Sequence, residues 1–316
     1  MTTADQTKLR TGLILGVGAY LSWGLLPLYL RLLGNVPSLQ LLSHRVVWSV
    51  LFLLFLVVIT KQVRPILAAA RGRTLLLLMA SALMIAINWL VYIWSVQNAH
   101  VIEASLGYFI NPLVNVAFGT LLLGEKLRRW QGIAIGIAAT GVVALAIIEG
   151  GAIWISLTLA ASFSIYGLIR KIAAIDALGG LTVETVLLAP FLLGYLLIEG
   201  SAGRGSFGQG GATDWLLILS GIITALPLLM FAASARRLRY TTIGLLQFMS
   251  PSIQFGLAVL VFGEPLRIDQ AATFVLIWAG CALYAWDSVR ASRAATAAPV
   301  NAPVTAVPLT TKAVPE

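Results

Sequence analysis

Apolar residues fall in ten long runs separated by short polar connections. The runs lie near 12–30, 38–60, 74–96, 101–123 and 130–148, then near 152–169, 181–198, 214–235, 241–262 and 270–287. Each has roughly the 17 to 25 residues a helix needs to cross ~30 Å of hydrocarbon. The pattern predicts an all-α membrane protein of about ten transmembrane helices. The first run follows a polar stretch, MTTADQTKLR, and shows neither the shorter apolar region nor the small-residue cleavage site of a signal peptide, so it reads as the first span. Two stretches depart from the pattern. Gly200 to Thr213 is rich in glycine and reads as a flexible loop, and the Pro/Ala-rich residues after Asp287 read as a disordered tail.

The runs repeat. Shifting the chain by 139 positions lays Pro112 on Pro251, Gly124 on Gly263, Glu125 on Glu264, Leu127 on Leu266, Arg128 on Arg267 and Gln131 on Gln270. Identities in register over so short a stretch indicate an internal duplication. The division is a short N-terminus (1–11), a first five-helix half (12–148), a second (149–287) and a tail (288–316). An odd number of spans per half places the halves in opposite orientations, a five-plus-five inverted repeat.

Composition supports the membrane reading, with 59% hydrophobic and 10% charged residues. The net charge of +9 does not indicate nucleic acid, because the basic residues sit in short clusters between apolar runs. With a cytoplasmic N-terminus, Lys8, Arg10, Lys61, Arg64, Arg71, Arg73, Lys126, Arg128, Arg129, Arg170, Lys171, Arg236, Arg237, Arg239, Arg290, Arg293 and Lys312 all lie inside. Arg31, Arg204 and Arg267 lie outside, and Arg45 falls within a helix. Both termini are therefore expected in the cytoplasm of a multi-pass plasma (inner) membrane protein. The repeat agrees: GEKLRRWQ faces inside, and its copy GEPLRIDQ, stripped of two positive charges, faces outside. The single cysteine, Cys281, has no intrachain partner and reads as a core residue.

Several stretches carry a family resemblance: AYLSWGLLPLYLRLL, SHRVVWS, NWLVYIWSVQNAHVIEASLGYFINPLVNV, LLGEKLRRWQ, SIYGLIRK, RRLRYTTIGLLQFMSP and FGEPLR. The chain resembles the drug/metabolite transporter superfamily, EamA family, RarD-type, over about residues 10–287. The match is most specific around EASLGYFINPL, and the chain departs from it in its Pro/Ala tail and Gly-rich loop. The resemblance implies a membrane transporter of small organic solutes.

Polar side chains within a bilayer are costly and face a cavity or a partner. Tyr108, Asn111 and Asn115 share one helix face, and the repeat matches them to Gln247, Ser250 and Gln254. Pro112 and Pro251 lie in these stripes, where a proline frees a carbonyl and bends the helix. The two faces are expected to line a substrate pathway, or else to hydrogen-bond neighbouring helices. Asn88, with Trp89, Tyr92 and Trp94, suits organic substrates, although interfacial anchoring also accounts for tryptophans. Trp23 stands between packing and pathway. Arg45, beside His44, could neutralise a substrate anion or lock a gate; the alternative is snorkelling to headgroups. The offset takes Arg45 to Glu184, toward the opposite face, so the two are not expected to pair; His44 and Glu184 are further ionisable gate or coupling candidates. Glu103 and His100 could carry a coupling proton, or Glu103 simply sits favourably in a first helical turn. Glu125 and Glu264 are expected to cap or tie helices.

Enzyme motifs are lacking: there is no HExxH, no phosphate loop, and the aspartates fall at or beyond helix ends. No cofactor or metal is expected. A channel built on a charge ring or carbonyl filter fits the internal inverted symmetry poorly. The expectation is a secondary transporter, an exporter or permease working by alternating access, with a small-molecule substrate and the lipid bilayer as partners. A facilitator without ion coupling is the alternative, and monomer and homodimer both remain open.

Overall fold

The computed structural model describes residues 3–123, 128–149, 152–235, 237–238 and 246–297. The described helices are α1 (Thr3–Leu32), α2 (Ser38–Ile59), α3 (Val63–Ala69), α4 (Gly72–Gln97), α5 (Val101–Leu123), α6 (Arg129–Glu149), α7 (Ile153–Ile172), α8 (Ala177–Ser201), α9 (Ala212–Ala235), α10 (Met249–Gly256) and α11 (Ile268–Ala297). A π-helical turn, Leu257–Val261, continues α10. Every expected run contains helix, and no strand occurs among the described residues. The protein is an all-α, multi-pass membrane protein. Seven described helices are long and apolar enough to span a bilayer by length and composition. Outward side chains such as Phe191 and Ile147, each 79% exposed, suit contact with lipid.

Helix ends follow from local chemistry. The Asp176 carboxylate accepts from the Gly179 N–H at 3.0 Å and starts α8. The Gln131 side chain accepts from the Arg128 N–H at 3.1 Å, and its repeat mate Gln270 accepts from the Arg267 N–H at 2.7 Å. The shared L-R-x-x-Q spacing is thus a paired start signal for α6 and α11. Gly263, at φ +67°, reverses the chain after the π turn, a conformation that favours glycine.

Packing runs mostly between the halves and comes in mated pairs. α1 packs on α9 as α7 packs on α4; α1 packs on α10 as α7 packs on α5; α2 packs on α9 as α8 packs on α4. Three further contacts join repeat mates directly: α6 with α11, α2 with α8, and α5 with α10. Exchanging the halves leaves this pattern unchanged, as an approximate twofold requires. The α6–α11 contact is tight at repeat-related glycines. A Cβ on Gly141 would lie 3.1 Å from the Thr273 carbonyl oxygen, and one on Gly280 would lie 2.7 Å from that of Ala134.

Three expectations change. The Gly-rich connection between α8 and α9 is tied down: Gln40 donates to the Arg204 carbonyl and accepts from the Ser206 N–H, both at 2.9 Å. Asp214 accepts from the N–H groups of Gly208 (2.9 Å) and Gly210 (3.0 Å), and the Phe207 ring lies beside His44 and Trp48. The last helix continues past Asp287 to Ala297, because Ala, Arg and Ser there are compatible with helix; residues 298–316, the remainder of the expected tail, lie outside the described residues. Helix α1 likewise begins at Thr3, within the expected N-terminal segment.

Candidate functional site

The bundle has two ends. The distal end carries the α1–α2, α4–α5, α8–α9 and 262–267 connections, and the proximal end carries α3 and the α7–α8 connection. Between them, polar side chains from both halves form a buried layer.

Arg45 enters this layer from α2 and is 3% exposed, so it does not snorkel. Its Nε donates to Thr224 Oγ1 of α9 at 2.9 Å, and its guanidinium carbon lies 5.6 Å from the centre of the Trp89 ring. Thr224 in turn donates to the Ser220 carbonyl. Tyr29, Tyr92 and Tyr108 lie within electrostatic range of the charge. Among the described residues no carboxylate forms an ion pair with Arg45.

Asn88 joins three helices. Its Nδ2 donates from α4 to Leu159 O (3.0 Å) and Ser162 Oγ (3.1 Å) of α7, and its Oδ1 accepts from the Tyr108 hydroxyl of α5 at 3.1 Å. Trp89 and Tyr92 are buried beside it, so they are not interfacial anchors. Trp94 is different: it lies at the distal end, stacked on His100.

On the facing side, Gln254 donates to the Trp23 carbonyl at 3.0 Å and to Ser250 Oγ at 3.2 Å. The Trp23 ring itself packs on Tyr20 and Phe231. Asn111 is buried, and Gln247 is half-buried just before the break at Phe248. Pro251 falls in the first turn of α10, where a missing N–H costs little. The side chains of Asn115 and Pro112 lie outside the described residues, as does Glu125. Among the described residues, five buried atoms in or beside this layer have no hydrogen-bond partner: Arg45 Nη1, Tyr92 OH, Trp48 Nε1, Asn111 Oδ1 and Gln254 Oε1; Ser164 Oγ and Arg170 Nη1 of α7 and Glu184 Oε2 of α8 also lack one. Buried polar groups are nearly always satisfied, so such a concentration calls for a reason.

A second ionisable group lies toward the proximal end. Glu184 of α8 is fully buried; it accepts from Ser81 Oγ of α4 at 2.6 Å and lies 3.7 Å from Arg170 Nε. Arg170 also donates to the Asp176 carbonyl at 2.9 Å, and Tyr166 lies beside both charges. It passes so close over Gly180 that a Cβ there would fall 1.6 Å from Nη1. Arg45 and Glu184 do not pair, as the inverted repeat requires. Rings connect the two polar centres: Tyr92 to Tyr108 (5.6 Å between centres), Tyr108 to Phe163 (6.0 Å) and Phe163 to Tyr166 (5.9 Å).

Glu103 sits in the first turn of α5, 3.1 Å from His100 Nδ1. Both oxygens of Glu264 accept from the same helix start, from the Val101 (3.0 Å) and Ile102 (2.9 Å) N–H groups. His44 belongs to the contact with Phe207 rather than to the polar layer. Thr224, Ser81, Arg170 and Tyr166 were not singled out from sequence. The repeat offset does relate Ser81 to Ser220, so carrying hydroxyl residues through it would have marked this face.

The EamA-like transporter family model matches residues 10–147. Protein RarD of Streptomyces exfoliatus is 44% identical over 91% of this chain and 92% of its own length. The chain belongs to the EamA family, as a RarD-type member. Protein RarD of Escherichia coli (strain K12) is 40% identical, with 92% of this chain and 98% of that protein covered. An "Uncharacterized transporter YojE" of Bacillus subtilis (strain 168) matches at 40% identity over the same shares. A crystal structure at 19% identity and TM-score 0.58, covering 89% of this chain and 99% of the other, shares the fold. Membership of this EamA family makes the protein a membrane transporter.

Proposed function

We propose that the protein is a secondary transporter of small organic solutes, working by alternating access between its two inverted halves in the plasma membrane, with the proximal end in the cytoplasm. The observation that carries this reading is the buried polar layer with unpartnered atoms, set between halves that pack in twofold-mated pairs. Inverted repeats of this kind hold substrate near the bilayer midplane. Tyr108, Asn111, Asn88, Gln247, Ser250 and Gln254 are the pathway residues of this reading.

The ends of the bundle support the same proposal. Distal ties cross between the halves at Glu264 with α5, at Gln40 with the 204–206 backbone, and at Arg31 over Phe262. At the proximal end a cavity of about 630 Å³ opens between Gln62, Asp176, Leu178, Leu229, Ala233 and Arg237. On this reading the distal ties close the outward face, and the proximal cavity, whose lining includes no residue of the polar layer, marks the side on which the pathway would open. Rocking would break the distal ties and close the proximal opening.

The test is flux in proteoliposomes loaded with metabolite and drug panels, with and without an imposed pH gradient. Asn111→Ala and Gln247→Ala are expected to insert normally and to slow flux. Undiminished flux in both variants would remove these residues from the pathway, and a chemical product without net movement would end the transport reading.

A further inference from the structure

We infer that the group around Arg45 binds the carboxylate of a small organic anion, which makes monocarboxylates the substrate class of this transporter. The inference rests on the transport reading above and adds the charge of the solute. A guanidinium stays protonated in proteins, so Arg45 carries its charge into the bundle. A buried charge is expensive unless it is paired. Arg45 has one neutral bond, to Thr224, and one ring contact, to Trp89. Its Nη1 is unpartnered, and the Tyr92 hydroxyl, within electrostatic range, is unpartnered too. Both residues are more than nine-tenths buried.

Two unpartnered groups able to donate suit the two oxygens of one carboxylate, and one positive charge matches one negative charge. A dianionic phosphate would leave a net buried negative charge, which this group does not compensate. The rings of Trp89, Tyr92 and Tyr108 offer apolar and π surfaces to the body of the solute. Compare Glu184: its Oε2 and Arg170 Nη1 also lack a hydrogen-bond partner, but an opposite charge, Arg170, stands 3.7 Å away and Ser81 donates to Oε1. Among the described residues Arg45 has no opposite charge paired with it.

The experiment uses the full-length protein in detergent and follows its melting with acetate, benzoate and phenylacetate, each against the matched neutral amide. At least one carboxylate is expected to raise the melting temperature, with no effect from its amide. Tyr92→Phe should weaken that carboxylate's apparent affinity about tenfold, the scale of one hydrogen bond to a charged group. Arg45→Met should abolish the protection. Without ligand, Arg45→Met should melt no lower than the unsubstituted protein, because an unpaired charge is removed and Thr224 keeps its bond to Ser220. Protection by the amides equal to that by the acids, no protection by any acid, or a lower melting temperature for ligand-free Arg45→Met would each overturn the inference. Flux separates this from the transport reading: neutral solutes moving without protection by any acid rejects the carboxylate alone, whereas protection without movement of any solute rejects transport.

Discussion

Glu264→Gln tests the tie between the second half and the start of α5. Glu264 is 6% exposed, and its two oxygens accept from the Val101 and Ile102 N–H groups at 3.0 and 2.9 Å. The amide keeps one acceptor and turns an NH₂ group toward the other N–H. One hydrogen bond to a charged group is lost, worth about 1.5–3 kcal/mol. The anion at a helix N-terminus is lost as well, worth about 0.3–1 kcal/mol. Together the destabilisation is about 2–4 kcal/mol, which for a chain of this size lowers the melting temperature by on the order of 3–6 °C. Glu264→Ala, which leaves both N–H groups without an acceptor, should melt lower still. Tryptophan fluorescence on purified protein follows the transition. If Glu264→Gln melted within about 1 °C of the unsubstituted protein, the carboxylate would not be holding α5, and the account of distal closure would lose its main bond.

Gly280→Ala should destabilise by about 1–3 kcal/mol, because its Cβ would meet the Ala134 carbonyl oxygen at 2.7 Å, while Gly136→Ala, with nothing within 4 Å, should be neutral or stabilising; equal melting of the two would refute the close contact. Arg170→Met leaves Glu184 without its ion-pair partner and should cost about 3–5 kcal/mol, and adding Glu184→Leu should recover most of it. A double variant as unstable as the sum of the singles would show that the two side chains are not coupled. Gln40→Ala should speed hydrogen exchange at the Ser206 amide and across 203–211, read by mass spectrometry; unchanged protection would mean that Gln40 does not order the connection.

Much of the fold is legible in the sequence because bilayer thickness imposes one length on every span. The repeat is legible because each copy carries the same capping glutamine, Gln131 in the first and Gln270 in the second. Contacts are harder to read. An offset relates Arg45 to Glu184 as equivalents, but in an inverted pair the equivalents lie toward opposite ends and the neighbours come from other helices. Thr224 and Arg170 are therefore invisible to the offset alone. Arg170 also resembles an ordinary charge at a helix end, and only its position over Gly180 shows that it turns inward. The Gly-rich connection looks flexible by composition, yet Gln40 and Phe207 hold it through contacts more than 160 residues apart in sequence.

The mated packing between halves has a consequence for how the chain is made. Thr224 follows Arg45 by 179 residues, and Glu184 follows Ser81 by 103. At a synthesis rate of about 5–20 residues per second, Arg45 leaves the ribosome roughly 10–40 s before Thr224 exists. During that interval α7 and α8 are made and can cover α4 and α5, but α1 and α2 still lack α9. The insertion machinery, or a waiting position at the membrane–water boundary, must shelter the arginine until α9 arrives. The layer around Arg45 thus closes only once the second half has supplied α9.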